Sequence, residues 1–533
     1  MNDKYGIQRT DLIEFLLCPN TYPHSPNEIK HIQTHASDVF IAAPYVYKIK
    51  KPVDFGFLDY STLEKRKFYC QKELELNKRL CCNAYICVEE ISLKDGELKL
   101  GPGDETIEYS VKMNLLPEKY FLHNLLAEGA VSKDDFSKIA EKISDNYKSQ
   151  IPSDNISKFG QPDNIKSIID DNISTSKKFL NETITDNAYS TLKSCNENIF
   201  RNRTGIFIKR LQNGWIRDCH GDLRLEHINL SNSDICIYDC IEFNEKFRYI
   251  DIASDAAFLS MDLDYNGYYK LSEFFIDEIS GLMKDDSIND VLDFYKCYRA
   301  IVRGKVETLK SLEPEVPEEE RRRARKNADT FYKLALKYAL FGSKPVTIAT
   351  FGVIGTGKST IAKALSEELS FDVITSDIVR KRISGIPKFE RKYEGYDAGI
   401  YSKDFTEKTY SEMFDIAEDI IKNGKSVIID ASFSKKKWRK KIVELTKKLD
   451  SILYVIHTEA PKPVIEQRLS AREVEEKTIS DARLEILDRF ISDYEKPVEI
   501  SSKILITIDT SKPVSDNVSY VFNELLRRNH NLF

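Results

Sequence analysis

The spacing of apolar residues divides the chain into two parts with different predicted architectures. In the first part, helical periodicity covers residues 122–200 and 252–337, while the earlier apolar runs are short and strand-like. Those runs lie at 39–41, 46–50, 85–92, 97–100 and 110–114. Strands followed by long helices are typical of an α+β layout. We therefore predict a small N-terminal sheet lobe and a larger helical lobe.

From residue 346 onward, short apolar runs instead alternate with helical patterns. One helix among them is predicted to end at Gly424, as a C-cap glycine would end it. This alternation is typical of an α/β domain whose parallel sheet lies between helices. The polar segment 341–345 separates the two patterns, so we predict domains at 1–340 and 341–533. The predicted strands of the second domain lie at 346–351, 373–375, 426–430, 452–457 and 504–508.

A glycine-rich sequence follows the first of these predicted strands. Residues 352–359 read Gly-Val-Ile-Gly-Thr-Gly-Lys-Ser, and a helical pattern begins directly after them. In this context the P-loop pattern binds phosphate, because the glycines let consecutive N–H groups face anionic oxygens beside a helix N-terminus. We predict an ATP site here, and the alternative is a glycine-rich turn without a ligand. The predicted binding residues are Gly352, Gly355, Thr356, Gly357, Lys358, Ser359 and Thr360.

Three polar side chains have predicted roles in the chemistry at this loop. Lys358 would reach the β- and γ-phosphates and assist their transfer, and the Ser359 hydroxyl would bind Mg²⁺. Asp430 ends the apolar strand 427–429, so its carboxylate would act on the same Mg²⁺ through water. A helix cap or a turn is the alternative interpretation of Asp430.

The composition is that of a soluble globular protein, and it narrows the classes of partner. The 533 residues are 41% hydrophobic and 31% charged, and no apolar run approaches the ~20 residues of a membrane span. A net charge of -6 disfavours nucleic acids and anionic membranes as partners. Without a recognisable signal peptide, a cytoplasmic location is predicted, and the oligomeric state is left open. None of the ten cysteines has metal-ligand spacing, so buried, reduced thiols are predicted.

A second group of polar residues lies between the helical patterns of the first part. A His-Gly-Asp sequence ends at Asp222, and an apolar run ends at Asp239, three residues before Glu242. The first resembles the catalytic loop of aminoglycoside phosphotransferases, and the second resembles their metal-binding strand end. Asp222 could accept the proton of an acceptor hydroxyl, and Asp239 could hold Mg²⁺ against the phosphates of ATP. Glu242 is a further candidate ligand for the metal or for water.

Upstream residues extend this resemblance. The strand-like segment 45–50 looks like the strand that bears the phosphate-binding lysine of the family. Lys48 is the better candidate for this lysine, although Lys50 shares its face of the strand. Glu73, on a helical stretch, would be the ion-pair partner of the lysine, with Glu75 as the alternative.

One residue of the second group departs from the family pattern. The family usually has Asn as a metal ligand five residues after the catalytic Asp, but His227 stands there and Asn229 follows two residues later. Imidazole is a poor ligand for Mg²⁺ compared with oxygen donors. We therefore expect Asp239 and Glu242 to bind the metal while His227 forms hydrogen bonds. Asp222 could instead be a turn residue that caps a helix, or the lobe could bind nucleotide without transferring phosphate.

The chain as a whole, over about residues 5–530, resembles bacterial proteins described as bifunctional aminoglycoside phosphotransferase/ATP-binding proteins. The stretches that carry this resemblance include 46–52, 57–64 and 242–251. The resemblance implies an α+β kinase-like, aminoglycoside phosphotransferase-like fold for the first domain. For the second domain it implies an α/β P-loop kinase fold with a parallel sheet.

The second domain resembles small kinases related to gluconate kinases, polynucleotide kinases and zeta-toxin-like enzymes. The resemblance implies that Asp377, after the second strand, contacts and activates the acceptor hydroxyl, while Arg380 grips an acidic substrate or phosphate. Asp377 could also cap the following helix. Arg468 and Arg472, four residues apart, would project from one helix face toward the phosphates, or would face solvent.

Three functions are compatible with these patterns. The first is an enzyme with two kinase-type modules, each using ATP and Mg²⁺ to phosphorylate a hydroxyl of a small metabolite. The second keeps only the P-loop kinase active and makes the N-terminal domain a regulatory sensor, which His227 favours. The third is a nucleotide switch whose ATPase cycle drives partner binding, and the setting of Asp377 counts against it. The acidic net charge disfavours a polynucleotide acceptor, and the spacing of residues does not identify either acceptor.

Overall fold

The division of the chain into units crosses the predicted boundary near residue 340. A computed structural model describes residues 7–231, 234–390, 395, 397–474 and 481–528. The first unit comprises Met1–Ile165 and Gly205–Leu292, and the second comprises Lys166–Thr204 and Asp293–Phe533. The second unit thus includes helical segments that precede the P-loop in sequence. The domain boundary at 340 itself stays a prediction.

The strands of the described residues belong to two large sheets and two short two-stranded sheets. They are β1 (Lys30–Gln33), β2 (Ser37–Ala42), β3 (Tyr45–Lys50), β4 (Tyr85–Lys94), β5 (Glu97–Leu100), β6 (Glu105–Asn114), β7 (Ile216–Asp218), β8 (Ile228–Asn229), β9 (Cys236–Ile237), β10 (Tyr249–Asp251), β11 (Val346–Phe351), β12 (Asp372–Thr375), β13 (Val427–Asp430), β14 (Ile452–Glu459) and β15 (Leu505–Asp509).

The described helices surround these sheets. They are α1 (Arg9–Leu17), α2 (Leu63–Asn77), α3 (Leu122–Ala127), α4 (Lys133–Ser149), α5 (Asp154–Ser157), α6 (Pro162–Ser176), α7 (Asp186–Asn202), α8 (Thr204–Gln212), α9 (Glu245–Arg248), α10 (Ile252–Tyr265), α11 (Tyr269–Met283), α12 (Leu292–Leu312), α13 (Glu318–Phe341), α14 (Lys358–Leu369), α15 (Ser376–Ile383), α16 (Lys403–Lys422), α17 (Lys436–Lys448), α18 (Lys462–Val474), α19 (Leu487–Asp493) and α20 (Val514–Arg528). None of these helices is both long enough and apolar enough to cross a membrane.

An antiparallel sheet with the strand order β1-β2-β3-β6-β4-β5 forms the base of the first unit. Helix α2 connects β3 to β4 and packs against β4 and β6. Thr62 caps this helix by accepting a hydrogen bond from Lys65 N (3.3 Å), which satisfies one amide of the first turn. Its buried residues, including Cys70, Glu73 and Leu76, are three or four positions apart and so share one face. The carboxylate of Glu73 is therefore carried on the buried face of α2.

Helices and two short two-stranded sheets complete the first unit. Helix α11 packs against α4 and α10, and most residues of α10 are buried. One of these sheets pairs β7 with β10, and the other pairs β8 with β9. At the end of the second sheet, Tyr238 N donates to His227 O (3.0 Å). This pairing holds the segment after Asp222 beside the segment that ends at Asp239.

A parallel sheet with the strand order β12-β13-β11-β14-β15 forms the centre of the second unit. The P-loop strand β11 is the middle strand, and all six of its residues are buried. Burial on both faces is expected for a parallel strand that lies between two layers of helices. Helices lie between consecutive strands along the chain, from α14 after β11 to α19 before β15. The predicted α/β domain with a parallel sheet is confirmed.

Helices that precede the P-loop in sequence pack within the same unit. Helix α13 contacts α14 and α20, and α7 contacts α20. Thr185 Oγ1, at the N-terminus of α7, donates to Glu368 Oε2 of α14 (2.6 Å). Asn187 Nδ2 donates to the other oxygen of Glu368 (3.1 Å). The helix that begins in the P-loop is therefore held near its other end by a segment 183 residues earlier in the chain.

The prediction of reduced cysteines is wrong for one pair. Cys81, just after α2, and Cys236, on β9, form a disulfide. The two elements are neighbours because Ile237 N donates to Leu80 O (3.2 Å). A sequence separation of 155 residues gives no sign of this proximity. Two of the free cysteines are also exposed, whereas the prediction placed the thiols in the interior.

Candidate active sites

The first candidate site lies at the carboxyl edge of the parallel sheet. Thr350 of β11, Thr375 of β12 and Asp430 of β13 are aligned across three neighbouring strands there. Residues that follow parallel strands converge at one edge of the sheet, because all the strands end on that side. Thr350 Oγ1 donates to Asp430 Oδ1 (2.9 Å). This hydrogen bond orients the carboxylate that was predicted to act on Mg²⁺.

The loop between β11 and α14 has a backbone that requires glycine. Gly352, Gly355 and Gly357 have φ angles of +149°, +77° and +86°, which other residues rarely adopt. A Cβ atom on Gly352 would lie 2.5 Å from Thr458 Oγ1, and one on Gly355 would lie 2.8 Å from Ile465 Cγ2. The loop is therefore a closely packed, preformed curve. Such a curve is what a cradle of backbone amides for phosphate requires.

Lys358 stands where this loop joins α14, and its ammonium group donates to Val353 O of the loop (2.8 Å). Burial lowers the pKa of Lys358 to about 8, against the opposing effect of Asp430 and Asp377, while Arg472 lowers it further. These four charged groups are thus close enough to act on one another. The lowered pKa means that the negative charge near Lys358 does not fully stabilise its ammonium form. A bound phosphate would supply further negative charge.

The surroundings of Asp377 contain a buried aromatic and carboxylate pair. Thr375 is the N-cap residue of α15, so Asp377 lies in the first turn and does not cap the helix. Tyr401 OH donates to Asp481 Oδ2 (2.7 Å). Burial raises the pKa of Tyr401, and the carboxylates of Asp377 and Asp481 raise it further. Tyr401 and Asp481 are therefore neighbours of Asp377. Tyr401 lies in a segment that the sequence suggested either as a lining of the acceptor pocket or as ordinary loop aromatics, whereas Asp481 was not predicted.

Arg380 forms part of the same surroundings. Its Nη1 donates to Ile400 O (2.5 Å) and to Thr406 Oγ1 (3.3 Å). Its guanidinium carbon lies 4.8 Å from the centre of the Tyr401 ring. Its Nε atom is buried and has no hydrogen-bond partner among the described residues. Its contact with an acidic substrate group stays a prediction.

The two arginines of α18 have different surroundings. Arg468 donates from Nη1 to Thr510 Oγ1 (3.0 Å) and from Nη2 to Thr510 O (2.6 Å). Thr510 Oγ1 in turn lies 2.7 Å from Thr356 O in the P-loop, to which it donates. Arg468 therefore supports the loop rather than facing solvent. Arg472 lies near enough to Lys358 to lower its pKa.

The second candidate site lies in the first unit and is organised around Lys48. Lys48 Nζ is 2.8 Å from Glu73 Oε1 and 2.8 Å from Asp239 Oδ1, whereas Glu75 pairs with Lys72 instead. Burial by itself lowers the pKa of Lys48, but Asp239 and Glu73 outweigh this effect and hold it well above its usual value. Burial likewise raises the pKa of Asp239, but the ammonium group of Lys48 outweighs this effect and holds the pKa below its usual range. The structure thus brings together three of the residues predicted for this site.

Lys50, two residues further along β3, shares Glu73 with Lys48 and also pairs with Glu242. Its Nζ donates to Glu73 Oε2 (2.7 Å) and to Glu242 Oε1. Tyr60 OH also donates to Glu242 Oε1 (2.5 Å). The side chains of Lys50 and Glu242 are 1% and 6% exposed. The predicted metal ligand Glu242 is therefore already bound to an ammonium group and a hydroxyl group.

Asp255 of α10 fixes the loop that carries Asp222. His220 N donates to Asp255 Oδ2 (3.0 Å), and Gly221 N donates to Asp255 Oδ1 (2.8 Å). Tyr147 OH donates to the same carboxylate (2.9 Å). A Cβ atom on Gly221, whose φ is +88°, would lie 2.7 Å from a backbone oxygen, so glycine is required directly before Asp222. Asp255 was not among the predicted site residues, because no motif surrounds it.

Arg224 binds both oxygens of the predicted base Asp222. Its Nε lies 2.9 Å from Oδ1 and its Nη2 lies 3.0 Å from Oδ2. Nη1 donates to Glu226 Oε1, and Nη2 lies 3.2 Å from His227 Nε2. The same histidine nitrogen is 3.7 Å from Asp239 Oδ2. Arg224 was missed as a site residue, although its position two residues after Asp222 was a usable signal.

A family model matches part of the second unit. Residues 348–497 match the model described as an AAA domain. The match contains the P-loop, Asp377, Asp430 and both arginines of α18, and it covers somewhat more than a quarter of the chain.

Relatives among curated proteins extend over both units. A protein of Mycobacterium tuberculosis and one of Mycobacterium bovis, both described as uncharacterized, are each 27% identical to this chain over 442 residues. The aligned region covers 83% of this chain and 85% of each relative. These proteins therefore share most of the length of the chain.

Solved structures are similar to about a third of the chain. Three of them are a gluconokinase from Sinorhizobium meliloti 1021 (19% identity, TM-score 0.25), the Mycobacterium tuberculosis APS kinase CysC in complex with AMPPNP and APS (16%, 0.25), and Chaetomium thermophilum Kti12 in complex with ADP-AlF3 (15%, 0.27). Each similarity covers 34% of this chain, and 93%, 98% and 97% of the respective structures. The family match and the loop geometry together show that the second unit contains a P-loop domain.

Proposed function

We propose that the second unit is an ATP- and Mg²⁺-dependent phosphotransferase that acts on a hydroxyl group of a small metabolite. The observation that carries this proposal is that Lys358 follows β11, Asp377 follows β12 and Asp430 ends β13, which places all three at one edge of the parallel sheet. Lys358 and Asp430 would suffice for a protein that only binds and hydrolyses nucleotide. Asp377 adds a carboxylate from a third element, in a position to accept the proton of an attacking hydroxyl.

The groups at this edge fit a nucleotide with its metal ion. Mg²⁺ prefers oxygen ligands, and the Asp430 carboxylate, which Thr350 orients, would act on it through water. The Ser359 hydroxyl is exposed at the start of α14 and would be a direct ligand. When bound, Mg²⁺ would neutralise charge on the β- and γ-phosphate oxygens. Lys358 would exchange its bond with Val353 O for bonds with the same phosphates.

The side chains near Asp377 have separate roles in the proposed transfer. Asp377 would orient the acceptor hydroxyl and take its proton as the oxygen attacks the γ-phosphorus. Lys358 and Arg472 would donate to the phosphoryl group as it moves between the two oxygens. Arg380 would bind an acidic group of the acceptor, and its buried Nε, which has no hydrogen-bond partner within the described part of the chain, supports this assignment.

The test is transfer of labelled γ-phosphoryl from ATP into a metabolite extract by the full-length chain. Lys358→Ala should reduce the labelled product about 10³-fold and Asp377→Asn about 10²-fold, because they remove phosphate stabilisation and proton transfer respectively. Lys363→Ala is the matched control, because Lys363 lies on the same helix but is 79% exposed and pairs with Glu367. A product that persists in Lys358→Ala at the wild-type rate would contradict the proposal. ATP hydrolysis without any product would favour a nucleotide switch.

A specific observation also favours a second phosphotransfer site in the first unit. Lys48, Glu73 and Asp239 form one ion-paired cluster, and His227 connects that cluster to the loop of Asp222. In the proposed kinase-like arrangement, Lys48 would bind the phosphates, Asp239 the metal and Asp222 the acceptor proton. The position of α2 between β3 and β4, with Glu73 facing Lys48, supports this kinase-like interpretation.

The same labelling experiment separates two active sites from one. Asp222→Asn should remove one product about 10²-fold while leaving the product that depends on Lys358. Asp234→Asn is the control, because Asp234 is an exposed aspartate of the same unit that pairs with Lys142. If Asp222→Asn removes no product but changes the response of the P-loop reaction to metabolites, the first unit is a sensor.

Small molecules are the proposed acceptors at both sites. The net charge of -6 supports this choice over nucleic acid, because phosphate backbones bind proteins through an excess of positive charge. The cytoplasmic location stays a prediction. An extract of soluble cytoplasmic metabolites is therefore the proposed source of acceptors for the labelling experiments.

A further inference from the structure

The first unit holds a guanidinium group where a second metal ion would need ligands. Two-metal phosphoryl transfer needs oxygen ligands on both sides of the phosphates. In this site, both oxygens of Asp222 are engaged by Arg224, at 2.9 and 3.0 Å. The same guanidinium also donates to Glu226. The carboxylates of Asp222 and Glu226 are thus already paired with the positively charged guanidinium of Arg224.

The position of the proton on the His227 ring shows what each of its two nitrogens can bind. His227 Nδ1 lies 2.8 Å from Asp222 O, and a carbonyl oxygen can only accept a hydrogen bond. Nδ1 therefore carries the proton, and Nε2 offers a lone pair. That lone pair faces Arg224 Nη2 at 3.2 Å. The residue at the expected metal-ligand position thus accepts a hydrogen bond from a side-chain cation.

Other oxygen ligands that the sequence suggested are either engaged or buried. Glu242 binds Lys50 and Tyr60 through one carboxylate oxygen. Asn229 is 0% exposed; its Nδ2 donates to Pro117 O (3.0 Å), and its Oδ1 is buried with no hydrogen-bond partner among the described residues. Asp239 differs from both, because its side chain is 40% exposed. Among the described side chains predicted as metal ligands here, Asp239 is the one that a metal on a bound nucleotide can reach.

We propose that the site around Asp239 binds its nucleotide with a single divalent cation, and that Arg224, held by Asp222 and His227, supplies the second positive charge on the phosphates. This inference rests on the proposed nucleotide site of the first unit. It departs from the family pattern given by the resemblance, in which the Asn five residues after the catalytic Asp is a metal ligand. The departure follows from the replacement of an amide by His227, which binds a guanidinium rather than a metal.

The donor count of Arg224 is consistent with this role. A guanidinium has five N–H donors. Four of them are directed at Asp222, Glu226 and His227 in the contacts given above. The fifth, on Nη1, is not used in these contacts of the described residues, and we assign it to a phosphate oxygen. Glu226 is 52% exposed, so a phosphate could also replace it as the acceptor from Nη1.

Metal counting tests this inference directly. The full-length chain carrying Gly352→Ala, which distorts the P-loop backbone, together with Lys358→Ala would be saturated with the non-hydrolysable analogue AMP-PNP, so that bound nucleotide reports on the first unit. Bound Mn²⁺ would then be counted from the loss of the electron paramagnetic resonance signal of free Mn²⁺. We expect one Mn²⁺ per bound nucleotide, even at millimolar Mn²⁺. In a chain that also carries Arg224→Met and His227→Asn, we expect a second Mn²⁺, because an amide oxygen and a released carboxylate become available.

The outcomes separate this inference from the proposed function. Two Mn²⁺ ions per nucleotide with Arg224 intact would overturn the single-metal inference and leave the nucleotide site standing. No bound nucleotide in the chain with the disabled P-loop would overturn the proposed second site and this inference with it. A single Mn²⁺ in the chain that also carries Arg224→Met and His227→Asn, with unchanged thermal unfolding, would overturn the role given to Arg224.

A matched series measures the contribution of the guanidinium itself. Arg224→Met should weaken AMP-PNP binding about 10- to 100-fold, as expected for loss of a charge-assisted hydrogen bond to phosphate. Arg224→Lys should restore part of this loss, because it keeps the charge but not the planar donors. Arg79→Met is the control, because Arg79 is similarly exposed (18% against 12%) but pairs with Asp218 (3.2 Å). Equal binding by Arg224→Met and Arg79→Met would contradict the inference.

Discussion

The two candidate sites hold their lysines in opposite electrostatic surroundings. Lys48 lies 2.8 Å from each of two carboxylates, which hold its pKa well above the usual value. Lys358 donates to a neutral carbonyl oxygen, and burial lowers its pKa to about 8. The P-loop lysine therefore needs negative charge from a ligand, whereas Lys48 already has it. A phosphate at Lys48 has to compete with Asp239 and Glu73, unless a metal ion takes over Asp239.

The two sites also differ in what forms them. The P-loop binds through backbone groups whose direction is set by three glycines with positive φ angles. The site in the first unit consists of side chains from β3, α2, the loop of Asp222 and the segment after β9. A backbone site depends on main-chain geometry and a side-chain site on charge, so different substitutions should inactivate them.

Gly352→Ala should have the largest effect and should act on the P-loop site alone. The new Cβ would lie 2.5 Å from Thr458 Oγ1 and 2.6 Å from Thr458 O, at a φ of +149°, so the loop has to move. We expect a loss of about 10³-fold or more in the product that depends on Lys358, as for loss of phosphate stabilisation. Gly205→Ala is the control, because a Cβ there meets no atom within 4 Å. Loss of the product of the first unit as well would show that the two sites are not independent.

Lys48→Met should inactivate the site of the first unit through charge rather than geometry. We expect a loss of about 10²-fold in its product, because a phosphate contact is removed. The unfolding free energy should fall by about 2 kcal/mol, less than for a wholly buried pair, because Asp239 is 40% exposed. Lys112→Met is the control, since Lys112 lies in the same sheet, is similarly exposed and pairs with Glu89. Activity measurements on both variants test the expected loss of product, and urea unfolding of both variants tests the expected fall in unfolding free energy.

The same contrast explains what the sequence could predict. The P-loop was predictable because its binding groups lie in eight consecutive residues, and the parallel sheet because each strand is a separate apolar run. The bond between Arg224 and Asp222 depends on side-chain rotamers, which spacing does not encode. Whether Glu242 meets a metal or an ammonium group depends on Lys50 reaching it across 192 residues of sequence. Contacts of this kind become visible only when the fold is known.

Proton uptake on nucleotide binding should distinguish the two lysines at a given pH. Free Lys358 has a pKa of about 8, and phosphate should raise it, so binding at about pH 9 should take up nearly one proton. Above pH 8, affinity at this site should fall about tenfold per pH unit. Calorimetry in buffers of different ionisation enthalpy measures the uptake, with Lys48→Met present to isolate the P-loop site. Lys358→Arg should abolish the uptake, because arginine keeps its proton at this pH, and persistence of the uptake would refute the assignment.

Lys358→Met should have the smallest effect, and its sign should be opposite to that of Lys48→Met. Because the pKa of Lys358 is lowered in the folded state, the unfolded chain binds more protons between about pH 8 and 10.5. The buried charge therefore destabilises the nucleotide-free protein below pH 8, and this cost disappears as pH rises toward 10.5. Lys358→Met should thus raise the unfolding free energy by about 1 kcal/mol at pH 7, a value reduced because the residue as a whole is partly exposed. Lys363→Met should leave stability unchanged, and a loss of stability in Lys358→Met would show that both lysines are structural.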